Sequence, residues 1–262
     1  LYSFAQVFHW FGLTPSSQSG NRADGTFGNA TYLAVYMLFN FFITLLLVAG
    51  VFKEKNGTKG AGPKILLAFY GIAALMQLGT VFFTETRGAM LGVVGGLVIA
   101  ALYVAIFGRS KEMRPLRMTS WGVLALIVVL TGAFFALKDT AIIKNSSSLS
   151  RLASISLEDR TTASRFIIWN MALKGAADRP IAGWGQENFN FVFNKYYDPA
   201  MYSQEQWFDR AHNEFLDWLV AGGVPAMLLY IALFALAVWA IVRAEGLSVA
   251  EQAALLGLLA AY

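Results

Sequence analysis

The sequence has no cysteine, only two histidines and few charges, and each scarcity narrows what it encodes. Without cysteine there is no disulfide framework and no thiolate metal site. Charged residues make up 14% of the 262, against about 25% in an ordinary soluble domain. What stands in their place is apolar: 57% hydrophobic and 15% aromatic residues, with a mean hydropathy of +0.54, arranged in long runs. That pattern predicts an integral membrane protein. The net charge of +4 is small and reads as loop topology rather than as a nucleic-acid footprint. A basic start, short apolar core and small-residue cleavage site are not found at the N-terminus. The sequence therefore reads as the middle of a longer polytopic protein.

The runs predict an all-α fold. Apolar stretches at 29–52, 65–83, 88–107, 119–137 and 213–242 are each about 19 residues or longer, enough to cross roughly 30 Å of hydrocarbon as helix. A sixth run begins at 253–262. Between the first two, Lys53, Lys55, Lys59 and Lys64 face one acidic residue, Glu54. Between the third and fourth, Arg109, Lys111, Arg114 and Arg117 face only Glu112. Short basic loops stay in the cytoplasm. Residues 1–28, the 84–87 link and the long polar region 138–212 are then expected on the outer, extracytoplasmic face. That region is nearly neutral, nine basic residues against eight acidic over 138–210.

The third run carries Gly88, Gly92 and Gly96 at four-residue spacing, continued by Ala100, which reads as a close helix–helix contact and not as chemistry. In the outer region, Thr161-Thr162-Ala163-Ser164 before Arg165-Phe166-Ile167-Ile168-Trp169 reads as a capped apolar helix, stopped by Arg179-Pro180 and Gly183-Trp184-Gly185. The rings that follow, Phe189, Phe191, Phe193, Tyr196, Tyr197, Tyr202, Trp207 and Phe208, suggest a folded, mostly helical cap lying at the membrane interface.

Ionisable groups are nearly absent within the apolar runs. Pumps and ion-coupled carriers keep a few there despite a cost of at least ~2.5–3.5 kcal/mol each, so the pattern argues against a proton- or ion-coupled transporter. Chemistry is expected at the outer boundary. Arg87 precedes the third run, His212 precedes the fifth, and Arg165 opens the loop helix. Helix N-termini attract phosphate, and arginine grips its oxygens in pairs. The inferred ligand is a diphosphate held by Arg87 and Arg165. The same positive surroundings favour a neutral imidazole at His212, able to take a proton from an attacking hydroxyl. Each residue also has an ordinary use: an arginine ending a helix snorkels, and a histidine beside Asn213 caps one. Their convergence on one side is what points to a site. Asp209, Arg210 and Asn213 are candidates for orienting the imidazole. Asp209, His212, Glu214 and Asp217 lack the spacing of a metal set, so no metal is expected.

Taken together, Gly25-Thr26-Phe27-Gly28-Asn29, Thr86-Arg87-Gly88, Arg165…Trp169…Pro180…Gly183-Trp184-Gly185 and His212-Asn213…Leu216…Gly222-Gly223-Val224-Pro225 resemble the O-antigen ligase family. That family includes lipopolysaccharide O-antigen ligases, O-antigen polymerases and protein O-oligosaccharyltransferases. The resemblance covers most of the chain. It departs at Thr86, where serine is usual, and at Ala226, where a second glycine is. It implies a GT-C-like helix bundle in the bacterial inner membrane with its active site on the periplasmic face. It further implies metal-independent, cofactor-free transfer of a glycan from an undecaprenyl diphosphate carrier to an acceptor hydroxyl. The acceptor would be a lipid A core sugar, a growing glycan or a protein. By the same resemblance Arg87 and Arg165 hold the donor diphosphate and His212 is the base. A lipid-linked-glycan flippase and a structural membrane subunit are the competing classes.

Overall fold

A computed structural model describes residues 1–16, 19–54, 61–154, 160–203 and 207–262. Lys55, Lys59, Glu158, Asp159 and Glu205, which entered the loop charges above, lie outside the described residues, as does the side chain of Thr161. Among the described residues the regular structure is helical, with no strand. In chain order the helices are α1 (Tyr2–Val7), α2 (Ala30–Glu54), α3 (Ala61–Phe83), α4 (Arg87–Phe107), α5 (Arg114–Leu137), α6 (Ala141–Lys144), α7 (Ser147–Ala153), α8 (Arg160–Asp178), α9 (Phe189–Lys195), α10 (Glu214–Arg243) and α11 (Val249–Ala261). Helices α2, α3, α4, α5 and α10 are long and apolar enough to cross a membrane. The fold is therefore that of an all-α, multi-pass membrane protein. A helix satisfies its own backbone donors and acceptors, which is what an apolar surround demands. The chain forms two compact units, residues 1–153 with 241–262, and residues 154–240.

In the first unit, α2, α3, α4 and α11 enclose a core of Leu38, Phe41, Phe42, Val81, Val93 and Ala261. The small-residue row of α4 sets the closest approach. A Cβ on Gly96 would stand 2.4 Å from the Gly257 carbonyl oxygen, and one on Gly92 2.7 Å from that of Ala261. Gly88 faces open space and takes no part. In hydrocarbon, where no hydrophobic drive joins helices, such backbone proximity and a few buried polar pairs do the joining. Thr44 pairs with Gln77 at 3.1 Å, and the Tyr103 hydroxyl donates to Gln252 Oε1 at 2.9 Å. Large side chains such as Ile65, Phe69, Leu75, Val128 and Val129 point outward, as a lipid-facing bundle requires.

One end of this unit is tied by Lys53, whose ammonium donates to the Gly246 carbonyl at 2.7 Å and pairs with Glu251 at 3.4 Å. The opposite end is covered by the described residues of 1–28, which are well folded. Gln6 Nε2 donates to the fully buried Asp24 at 3.0 Å, and Gln6 Oε1 accepts from Gly25 N at 2.8 Å. Burial alone would raise the Asp24 carboxyl, but hydrogen bonds from Ser16, Gln6 and Ser19 outweigh it and hold the group below its ordinary value.

The second unit packs α8 and α9 around Ile168, Met171, Phe189, Val192, Phe193, Met201 and Phe208. Three of the eight rings singled out from the sequence, Phe189, Phe193 and Phe208, are thus core, while Phe191, Tyr202 and Trp207 are exposed. Helix α10 is not one straight rod. It breaks at Gly222 (φ −132°, ψ 17°) and Gly223 (φ 71°, ψ −169°), just before Pro225. The residues from Val224 to Arg243 still reach about 30 Å at 1.5 Å per residue. The strand of chain at Gly183-Trp184-Gly185 docks on that break: Trp184 N donates to Val220 O, Gly185 N to Ala221 O and Val224 N to Pro180 O, at 2.7–2.9 Å. Any side chain at Gly223 would meet the Pro180 and Ile181 carbonyls at 2.5 Å, and one at Gly183 the Ala221 carbonyl at 2.4 Å. Two motifs forty residues apart in sequence are one structural joint.

Candidate active site

His212 lies in the second unit and is exposed. Its φ of 53° is left-handed, a conformation that costs a non-glycine residue of order 1 kcal/mol or more and persists only when its surroundings impose it. The imposing contacts fall on the preceding residue, Ala211. Ala211, fully buried, donates its N–H to Asp217 Oδ1 at 2.6 Å, and its carbonyl accepts the Trp169 indole N–H at 3.1 Å. Asp217 is itself seated on the first turn of α10, its N–H bonded to Asn213 O at 2.8 Å. The Phe208 ring meets the imidazole edge-on at 5.5 Å. The backbone is thus clamped on both sides while the imidazole projects outward, an arrangement suited to presenting a base.

Arg165 belongs to the same unit, but not where the sequence suggested. Helix α8 begins at Arg160, so Thr161 to Ser164 are its first turn rather than its lead-in, and Arg165 follows that turn. The helix-dipole argument, which concerns the unpaired N–H groups of the first turn, therefore does not apply to Arg165. What places it is periodicity. Residues i and i+4 share a helix face, so Arg165 stands one turn from Trp169, the residue bonded to Ala211. Its side chain is exposed.

The three orienting candidates divide differently from expectation. Asn213 caps α10, its Oδ1 accepting from Phe215 N at 3.1 Å and Leu216 N at 3.4 Å. Asp209 and Arg210 pair with each other at 3.6 Å on the surface. The carboxylate that holds the backbone next to the histidine is Asp217, through Ala211 N. Asp209, Arg210 and Asp217 border a cleft of about 230 Å³, lined also by Glu187, Glu214 and Trp218 among others. Four carboxylates against one guanidinium make it anionic, so it repels a diphosphate. Among the described residues, no group of three or more His, Cys, Asp and Glu is placed to hold a metal ion.

Arg87 is in the first unit, at the first helical position of α4, with Thr86 as N-cap residue. The link before it is unusual. Glu85 is buried and left-handed (φ 53°). Its carboxylate accepts from the Ser147 hydroxyl and pairs with Arg151 at 3.8 Å. Arg22 holds the two flanking residues, its Nε donating to Thr84 O at 2.8 Å and its Nη2 to Thr86 Oγ1 at 2.9 Å. Burial and the nearby charge of Arg151 lower the Arg22 pKa, with Glu85 opposing. One guanidinium thus pairs with the carboxylate and a second lies within its field, beside the N-terminus of α4, where anions are favoured. Sequence reasoning missed Arg22, Glu85 and Arg151; no short-range spacing marks them.

The helices define a multi-pass membrane protein whose ionisable clusters gather in the segments between apolar spans. The family model described as O-antigen ligase matches residues 72–231, more than half of the chain, and the chain belongs to that family of O-antigen ligase and polymerase-like membrane glycosyltransferases. The matched stretch contains Arg87, Arg165 and His212. Among curated proteins, none matches the chain.

Proposed function

We propose that the protein transfers a glycan from an undecaprenyl diphosphate carrier to an acceptor hydroxyl at the periplasmic face of the bacterial inner membrane, without a metal or other cofactor. The observation that carries this reading is the mounting of His212: an exposed imidazole on a backbone fixed by Trp169 and Asp217, in a family of membrane glycosyltransferases. The acceptor O–H breaks as its proton passes to His212. The oxygen bonds to the anomeric carbon while the bond from that carbon to the diphosphate breaks. Polyprenyl diphosphate leaves with the bonding pair. Arg87 and Arg165 hold the diphosphate and offset the charge that develops on it. The loop charges support the sidedness. The anionic cleft next to His212 suits a neutral, hydroxyl-bearing acceptor rather than a diphosphate.

The test is a single-turnover assay with purified protein, undecaprenyl diphosphate-linked glycan and three acceptors: lipid A core, free glycan and a serine peptide. An enzyme yields free undecaprenyl diphosphate, whereas a flippase yields none. Arg165→Ala and His212→Ala are expected to insert and fold but to transfer at least about tenfold more slowly. Undiminished transfer in either contradicts the assignment, and the acceptor that is consumed separates ligase from polymerase and from protein glycosylase.

A further inference from the structure

We infer that Arg22 is a positioning residue for Arg87: it fixes the 84–86 link from outside the helix bundle and so sets where the Arg87 guanidinium meets the donor diphosphate. This rests on the reading of Arg87 as a donor contact.

The link has reason to need support. It joins two membrane-length helices, α3 and α4, in three residues, and its centre, Glu85, is a left-handed non-glycine residue. Such a residue relaxes unless its neighbours are held. Arg22 holds both neighbours with one planar group, reaching across 62 and 64 residues to Thr84 O and Thr86 Oγ1. The adjoining Ala23 N–H adds a bond to Phe83 O at 3.1 Å. The anchor is itself rigid, because Asp24, next in sequence, is fully buried and bonded to Gln6 and to Ser16 N. Arg87 follows the gripped residue directly. Thr86 makes no side-chain cap bond to α4, so its hydroxyl serves Arg22 rather than the helix end. A bidentate grip by a guanidinium has no equal in lysine, which offers a single point of charge.

Arg22→Gln, Arg22→Lys, Thr86→Val and Arg87→Ala are compared in lipid nanodiscs with undecaprenyl diphosphate-linked glycan as the donor. Arg22→Gln is expected to raise the donor KM about tenfold, the size of one lost charge-assisted hydrogen bond, with kcat changed less than twofold. Arg22→Lys is expected to recover part of the loss. Thr86→Val, which removes the acceptor for Arg22 and a long 3.4 Å bond to Thr84 O but no cap, is expected to shift KM the same way by less. The double variant Arg22→Gln/Arg87→Ala should be no worse than Arg87→Ala alone, because the two act as one unit. Wild-type KM in Arg22→Gln beside a damaged Arg87→Ala overturns the inference and leaves the reading of Arg87 intact. Full activity in Arg87→Ala overturns that reading itself. If Arg22→Gln lowers the thermal midpoint, Thr86→Val decides: an unchanged KM there overturns the inference, and a raised one upholds it. Additive losses in the double variant also overturn it.

Discussion

The two polar regions bring their key side chains to hand in opposite ways. In the second unit, His212 is held through its neighbour: Ala211 is clamped by the carboxylate of Asp217, six residues on, and by the indole of Trp169 from α8. In the first unit, the link before Arg87 is held by side chains from far along the chain, Arg22 on one flank and Ser147 and Arg151 on Glu85. Their charges are opposite too. The cleft beside His212 has four carboxylates and one arginine, whereas the link gathers arginines around a single glutamate. Like charges repel, so a diphosphate and a proton-accepting site are best served by different surroundings. The contrast teaches that one chain can hold two key side chains by different means and in surroundings of opposite charge.

The largest way to break the comparison is at the base. His212→Ala is expected to cut turnover by about 10²–10⁴-fold, the usual worth of general base catalysis, with unchanged insertion and thermal midpoint. Arg165→Ala comes next, at about 10–100-fold in kcat/KM, from a lost charge-assisted contact of ~1.5–3 kcal/mol. Equal activity in either variant removes that residue from the site. A sharper probe is the clamp itself. Trp169→Phe keeps the ring but leaves the Ala211 carbonyl without its indole donor, an expected loss of about 1 kcal/mol or roughly fivefold in kcat. Donor affinity should not move. A loss confined to donor affinity shows that Trp169 serves Arg165 rather than His212.

The smallest effect expected is on pH dependence of the second unit's fold. Hydrogen bonds from Lys195 (2.7 Å) and Tyr196 (2.5 Å) hold the Asp178 carboxyl below its ordinary value. The folded state therefore binds the proton less readily than the unfolded one. Its contribution is present above the ordinary carboxylate pKa and fades as pH falls through the lowered value. Asp178→Asn should lower the thermal midpoint slightly at pH 7, by a difference that vanishes in acid, and so flatten its dependence on pH below about 4. An unaltered acid slope shows that the pair contributes nothing measurable, as exposed pairs often do.

Much of the fold was legible because lipid permits so few solutions. Long apolar runs without charge have to be helices, and the row at Gly92 and Gly96 announced the contact that α4 makes with α11. His212 stood out because histidine is rare here and this one sits where polar chain meets apolar run. Position within an element was harder to read. Thr161 to Ser164 looked like a lead-in and are instead the first turn of α8, which moves Arg165 off the helix end. The break in α10 was hidden within a continuous apolar run, because glycines there signal either packing or a kink. Only the docking of Gly183-Trp184-Gly185 shows which. Arg22 was invisible for a simpler reason: its partners lie more than sixty residues away, and hydrophobic periodicity says nothing about which distant carbonyl a guanidinium will find.

Donor affinity in two variants tests the division of labour most directly. Binding of undecaprenyl diphosphate-linked glycan to Arg87→Ala and to His212→Ala, both in nanodiscs without acceptor, should weaken about tenfold or more in the first and stay within twofold of wild type in the second. Unimpaired binding in Arg87→Ala, or a comparable loss in His212→Ala, contradicts the account.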